Sequence, residues 1–207
     1  MSSGIFITFE GGEGSGKTTL IRLIKEHLES KNYQVVSTRE PGGSKIAEAI
    51  RNIILDVNNP DIDYKTEALL YASSRRQHLV DVVIPALEKG CVVLCDRYID
   101  SSLAYQGYAR GLGIDAVYKI NQYATEGILP KLTFFIDVLP NVGLSRIKDN
   151  NRDQNRLDKE KIKFHEAVYK GYKLVSKKFK KRIHVINGAR EITEVYNDII
   201  KIILEKI

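Results

Sequence analysis

Residues 11–18 read Gly11-Gly12-Glu13-Gly14-Ser15-Gly16-Lys17-Thr18, the spacing G-x-x-x-x-G-K-[ST] of a phosphate-binding loop. Glycines let the backbone fold around an anion with its N–H groups pointing inward, and a helix starting near Lys17 adds its positive end. Lys17 then reaches the β- and γ-phosphates of a nucleotide, and the Thr18 hydroxyl ligates Mg²⁺. The loop alone fits a GTPase, an ATPase motor, a sulfotransferase-like enzyme or a kinase. The chain has no N-K-x-D after a strand to read guanine and no L-S-G-G-Q signature of a transporter ATPase, and it is short for a motor. A small-molecule kinase using Mg·ATP remains.

Such an enzyme needs an acceptor site beside the γ-phosphate. Thr38-Arg39-Glu40-Pro41-Gly42-Gly43 offers a guanidinium and a carboxylate on a stiff loop, where Pro41 restricts Glu40 to extended geometry and permits a cis bond. Cys95-Asp96-Arg97-Tyr98 follows an apolar run. Asp96 at a strand's carboxyl end suits a Mg²⁺ ligand or proton acceptor. Arg97 suits the gap between two phosphates that must approach each other, although a plain Asp96–Arg97 salt bridge is the simpler alternative.

In the segment from Asp100 to Gly107, Asp100 or Ser101 reads as a helix cap. Ser102, Tyr105 and Gln106 share a helical face. An amide such as Gln106 can accept from a pyrimidine N3–H and donate to a neighbouring carbonyl. Tyr71 and Arg75 stand one turn apart on an earlier helical pattern, giving a ring to stack and a guanidinium to donate. Taken alone, Tyr71 reads more readily as a core aromatic, and Arg75-Arg76 as an ordinary solvated pair. Arg146, Arg152 and Arg156 lie in or beside the polar stretch 148–163, where they supply transition-state charge from a closing lid or form an ordinary charged loop.

These residues need a scaffold. Apolar runs at Ile5–Phe9, Gln34–Thr38, Val92–Cys95, Leu132–Asp137 and Arg182–Ile186 alternate with helical patterns at about Lys17–Lys31, Lys45–Leu55, Tyr64–Lys89, Leu112–Thr125, Pro140–Asp149, Lys159–Phe179 and Ile192–Glu205. This predicts an α/β fold with a mostly parallel sheet covered on both faces. Each motif follows a predicted strand or sits on a helix reachable from there, where open α/β sheets bind ligands. With 207 residues, 43% of them apolar, and no linker composition, one domain spanning 1–207 is expected, with a lid within about 146–163.

Charge and cysteine content exclude several classes. The net charge of +6 is concentrated between Pro140 and Val185, where 14 Lys/Arg face 5 Asp/Glu. The remainder is mildly acidic, so the excess fits a phosphate-rich ligand and a solvated helical face such as Lys177–Lys181 rather than a nucleic-acid partner. No eighteen-residue apolar run and no signal-peptide pattern is present, so a cytoplasmic, non-membrane protein is expected. Cys91 and Cys95 read as buried thiols.

Together, FEGGEGSGKTT, TREPGG, SSRRQH, CDRYIDSSLAYQG and RDQNRLD, in that order, resemble the bacterial thymidylate kinases over essentially the whole chain. The resemblance implies the three-layer P-loop NTPase fold and transfer of the ATP γ-phosphate to dTMP. It implies that Glu13 faces the acceptor sugar, that Arg39 and Arg97 hold the acceptor phosphate, and that Glu40 and Asp96 organise magnesium and water. Arg51 would lie at the acceptor pocket. Tyr71 would stack on thymine, Arg75 donate to O4, Gln106 and Ser102 read the N3 edge, and Tyr105 crowd the 2′ position. The P-loop carries Glu13 rather than arginine, so the lid arginines Arg146, Arg152 and Arg156 would carry the catalytic charge. Two positions depart from the family pattern: Tyr71 where phenylalanine is common, and Asn155 where some relatives carry aspartate. A homodimer formed through helices flanking the sheet is implied as well. The alternatives are another nucleoside monophosphate or deoxynucleoside kinase and, more distantly, a nucleic-acid-binding P-loop ATPase. The turn Asn187-Gly188-Ala189-Arg190 is a candidate adenine loop.

Overall fold

In the computed structural model, residues 4–149 and 155–207 are described. Five strands, β1 (Ile5–Glu10), β2 (Val35–Arg39), β3 (Val92–Asp96), β4 (Leu132–Asp137) and β5 (Ile183–Asn187), form one parallel sheet in the order β2-β3-β1-β4-β5. The predicted strands are all present, displaced by a residue at most. β1 is wholly buried because it is central and covered on both faces, whereas β2 is an edge strand and only half-buried.

Alternation along β1 divides the core. Ile5, Ile7 and Phe9 point into a cluster with Leu20, Ile24 and Leu28 of α1 (Lys17–Ser30) and Ile199 and Ile203 of α9 (Ile192–Leu204). Phe6 points to the opposite cluster, with Leu79, Leu103, Val168 and Val175. Helices α2 (Lys45–Leu55), α3 (Tyr64–His78), α4 (Ile84–Glu88), α5 (Ile99–Ser102), α6 (Ile114–Thr125), α7 (Pro140–Asp149) and α8 (Ile162–Lys178) complete the layers. Asp63 caps α3, accepting from the N–H groups of Lys65 and Thr66, each at 3.0 Å.

Two expectations change here. The helix expected over Tyr64–Lys89 runs through a π-helical turn, Leu79–Val83, before Pro85. Proline has no N–H to donate and its ring crowds the preceding turn, so the wider winding accommodates it. The helix expected to start at Asp100 or Ser101 begins at Ile99, and Asp100 does not cap it. Both Asp100 oxygens accept from Arg182, at 2.6 and 2.7 Å. The chain then winds as a π-helix over Leu103–Ala109, a distortion frequent at functional sites. Ser102, Tyr105 and Gln106 nevertheless face one cavity.

Candidate active site

A cavity of about 520 Å³ opens at the carboxyl ends of β1, β2 and β3. Its walls include Glu13–Thr19 on one side and Arg39, Arg51, Tyr71, Arg75, Ser102, Tyr105 and Gln106 on the other, with Asp96, Arg97 and Arg146 between.

The loop after β1 is held by backbone. Gly14 has φ +65°, and a Cβ there would lie 2.0 Å from the Gly143 carbonyl oxygen. A Cβ on Gly143 would in turn lie 2.1 Å from the carbonyl oxygen of Glu13. Only two glycines allow the loop and α7, which carries Arg146, to meet this closely. Lys17 Nζ donates to Gly11 O and Gly12 O at 3.1 Å and to Ser15 Oγ at 3.2 Å. Burial first, then the nearby Arg97 guanidinium, lowers its pKa from the ordinary value, against the pull of Asp96, Glu13 and Glu10.

Thr18 Oγ1 donates to Asp96 Oδ2 at 3.0 Å, while Asp96 Oδ1 is buried with no hydrogen-bond partner among the described residues. A hydroxyl and an unsatisfied carboxylate oxygen at the mouth of a phosphate loop are hard oxygen donors. That set fits Mg²⁺, which takes one or two protein oxygens and completes its shell with water and phosphate.

Arg97 joins the two walls. Its φ of +71° places a non-glycine residue in the left-handed region, which persists only where surrounding contacts enforce it. Its N–H donates to Phe9 O at 2.9 Å. Its guanidinium donates to Gly11 O at 2.9 Å, Glu13 Oε1 at 2.7 Å, Tyr172 OH at 2.9 Å and Ser101 Oγ at 3.3 Å. It also lies 5.3 Å from the Tyr105 ring centroid. Tyr105 donates to Glu13 at 3.1 Å, and burial pushes its phenol well above the usual range, keeping it a neutral donor.

Beneath Arg97, Glu10 is fully buried and accepts from Tyr98 N–H at 2.8 Å, Ser101 Oγ at 2.6 Å and Tyr172 OH at 3.1 Å. Burial, then the Asp100 carboxylate, push Glu10 up to about 7, against the opposing pull of Ser101, Arg97 and Tyr98. Sequence reasoning missed Glu10 and Tyr172. A charged residue closing the apolar run IFITF was the available signal for Glu10, and nothing in the sequence singles out Tyr172.

On the acceptor wall, Arg75 is only 2% exposed, which rules out the solvated-pair alternative. Nε donates to Glu40 at 2.7 Å, Nη1 to Ser102 Oγ at 3.1 Å and to Asn121, and Nη2 to Tyr98 O at 3.0 Å. Of its five donor hydrogens, this leaves one on Nη2. Tyr71 is both core and wall: it packs in the cluster with Leu103 and also lines the cavity. Arg39 pairs with Glu48 at 2.9 Å, and Arg51 donates to Pro41 O at 2.8 Å. The Glu40–Pro41 bond is cis.

Two expected site residues sit in buried ion pairs. Glu40, expected to organise magnesium and water, lines the cavity and is 3% exposed, with one hydrogen bond on each oxygen. Oε2 accepts from Arg75, and Oε1 bonds His78 Nδ1 at 2.9 Å, which holds the Arg75 guanidinium in place. Arg156 was expected over the γ-phosphate. In the structure it is buried, with Nε on Ile54 O at 2.8 Å and Nη2 on the Glu67 carboxylate. A buried carboxylate draws the nearest guanidinium, because a charge left unpaired there is costly. Arg146 does line the cavity, and Arg152 lies outside the described residues. Asn155 Oδ1 accepts from Leu157 N–H at 2.9 Å and Asp158 N–H at 3.1 Å, fixing the turn into Arg156. Both cysteines are free and buried. The turn at Asn187–Arg190 is stapled by Asn187 and by an Arg190–Asp198 pair.

This geometry can hold a nucleotide triphosphate on one wall and an anionic acceptor with a planar ring on the other, with a guanidinium between. Comparison with known proteins agrees. A family model described as thymidylate kinase matches residues 9–199. The thymidylate kinase of Oceanobacillus iheyensis is 55% identical, covering 97% of this chain and 90% of that one. That of Clostridium novyi is 52% identical, covering 96% and 98%. A crystal structure of thymidylate kinase from Ehrlichia chaffeensis superposes with a TM-score of 0.78 at 34% identity, covering 98% of this chain and 99% of that one.

Proposed function

The chain belongs to the thymidylate kinase family, and from that premise we propose how its cleft phosphorylates dTMP with ATP to give dTDP and ADP. The observation that carries the assignment is that one cavity is bounded by the phosphate loop on one wall and by Tyr71, Arg75, Ser102 and Gln106 on the other.

Lys17 and the loop N–H groups hold the β- and γ-phosphates, and Thr18 with Asp96 would hold Mg²⁺, whose chemistry is to neutralise charge across those oxygens. Arg39, Arg51 and Arg97 hold the acceptor phosphate, and Glu13 faces the sugar. Tyr105 is placed by Glu13 to crowd the 2′ position. Tyr71 stacks on the base, the remaining Nη2 hydrogen of Arg75 serves O4, and Gln106 with Ser102 meets the N3 edge. The acceptor phosphate oxygen is already ionised at neutral pH, so it attacks in line without a strong general base. Charge on the transferring group is met by Lys17, Arg97 and the lid arginines Arg146 and Arg152. Glu40 and Arg156 act from behind this layer.

No helix among the described residues is long and apolar enough to cross a membrane, and a cytoplasmic setting suits the substrates. Ile46 and Ile53 of α2 and Leu69 of α3 are exposed, which supports a homodimer formed through these flanking helices. ADP release measured across the nucleoside monophosphates tests the substrate assignment. dTMP should be fastest, and a tenfold lead for dCMP, dGMP or thymidine would overturn the thymine pocket (a factor of ten being about 1.4 kcal/mol of discrimination).

A further inference from the structure

Behind the base wall lies a carboxylate that the mechanism does not use. Glu67, on α3 one turn before Tyr71, is 0% exposed. Its Oε1 accepts from Gln106 Nε2 at 2.8 Å, and its Oε2 accepts from Arg156. Arg110 lies against both oxygens, at 3.4 and 3.5 Å, and is itself paired with Glu160 at 2.6 Å.

We propose that Glu67 is a positioning residue that fixes the hydrogen-bond polarity of Gln106, so that the pocket selects a base carrying a hydrogen on N3. The proposal rests on the reading above, in which Gln106 meets the base. A carboxylate whose two oxygens face guanidinium donors acts as an acceptor. Gln106 must therefore turn its NH₂ toward Glu67, because the flipped amide would set its carbonyl oxygen against a buried acceptor. The Gln106 carbonyl oxygen is thereby the group left for the cavity, and it makes no hydrogen bond to a described residue. Thymine and uracil donate from N3, whereas cytosine presents a lone pair there. Arg75 adds the matching preference, since its spare Nη2 hydrogen suits a carbonyl at position 4 and opposes an amino group. Without Glu67 the Gln106 amide is free to present either end, and the discrimination weakens at its source.

The test is steady-state kinetics of the full chain with dTMP and dCMP at saturating ATP. It compares wild type, Glu67→Gln, Gln106→Leu and the double variant. Loss of one such directed hydrogen bond corresponds to roughly a tenfold change. Glu67→Gln should lower the dTMP/dCMP ratio of kcat/KM by about tenfold, with dCMP turnover rising in absolute terms and KM for ATP unchanged. A merely structural defect would lower both activities. In the Gln106→Leu background, Glu67→Gln should have no further effect on the ratio. Glu67→Asp, which keeps a carboxylate between Arg156 and Arg110 and so guards the fold, should shift the ratio in the same direction by less. Two results overturn the proposal: an unchanged ratio in both Glu67 variants while Gln106→Leu collapses it, or a Glu67→Gln effect that persists in full without Gln106. If Gln106→Leu itself leaves the ratio unchanged, the base-reading role of Gln106 falls, and the proposal falls with it.

Discussion

The ATP side of the cleft is assembled by backbone over consecutive residues, Gly11 to Thr18, whereas the acceptor side gathers side chains from β2, α2, α3, α5 and the π-helical turn after it. On the first side the working groups are mostly N–H dipoles fixed by chain geometry, and one cation, Lys17, completes them. On the second, key side chains are aimed by carboxylates: Arg75 by buried Glu40, Gln106 by buried Glu67 and Tyr105 by half-buried Glu13. Phosphate is common to every nucleotide, so a local loop suffices to bind it. A particular base is recognised only by directed donors and acceptors, and directing them takes a second layer of charge.

The strongest way to break that contrast is at Arg75. Arg75→Met leaves the Glu40 carboxylate buried with His78 alone, which should destabilise the fold by about 3–5 kcal/mol, read as a lower denaturant midpoint. A loss below about 1 kcal/mol would mean that the buried charges do not hold the acceptor wall. Lys17→Ala should do the reverse. It should lower kcat by roughly 10²–10³-fold while leaving the unfolding midpoint nearly unmoved, because burial already works against that charge. Comparable losses of stability in the two variants would erase the distinction.

The smallest effect lies under Arg97, where the two walls join. Glu10 binds its proton more tightly in the folded chain, at about 7, than at its ordinary value of 4.5. The folded state therefore holds more protons between those values, and stability falls as pH rises through that window. Glu10→Gln should flatten this slope by roughly 2–3 kcal/mol between acidic and neutral pH, since the Ser101 and Tyr172 hydroxyls can turn to accept from an amide. An unaltered slope in urea titrations across that window would place the pH dependence elsewhere.

The same contrast decides what could be read in advance. The strands and the phosphate loop were legible because their signals are local: apolar alternation, turn glycines, and a lysine and threonine at fixed spacing. Tyr71, Arg75, Ser102 and Gln106 were legible as helical neighbours, even though the turn carrying Gln106 proved to be π-wound. Their partners were not. Gln106 meets Glu67 across 39 residues, Ser101 meets Glu10 across 91, and Tyr172 meets Glu10 across 162. No spacing rule spans such distances, and a lone glutamate on a helix looks like solvated surface. The buried setting of Arg156 was hidden for the same reason. A polar stretch gave no hint of the buried carboxylate that claims its guanidinium.

The seat of Gly14 against Gly143 bears on how this chain can drift. A methyl added at either position meets a carbonyl oxygen, at 2.0 or 2.1 Å, not a side chain that could swing aside. No compensating change is open to the other member, which has nothing left to surrender. Both single and paired replacements are therefore closed unless the main chain itself moves. One position in α7, far downstream of the nucleotide loop and outside any recognised pattern, is as immobile in sequence space as the loop's own glycines.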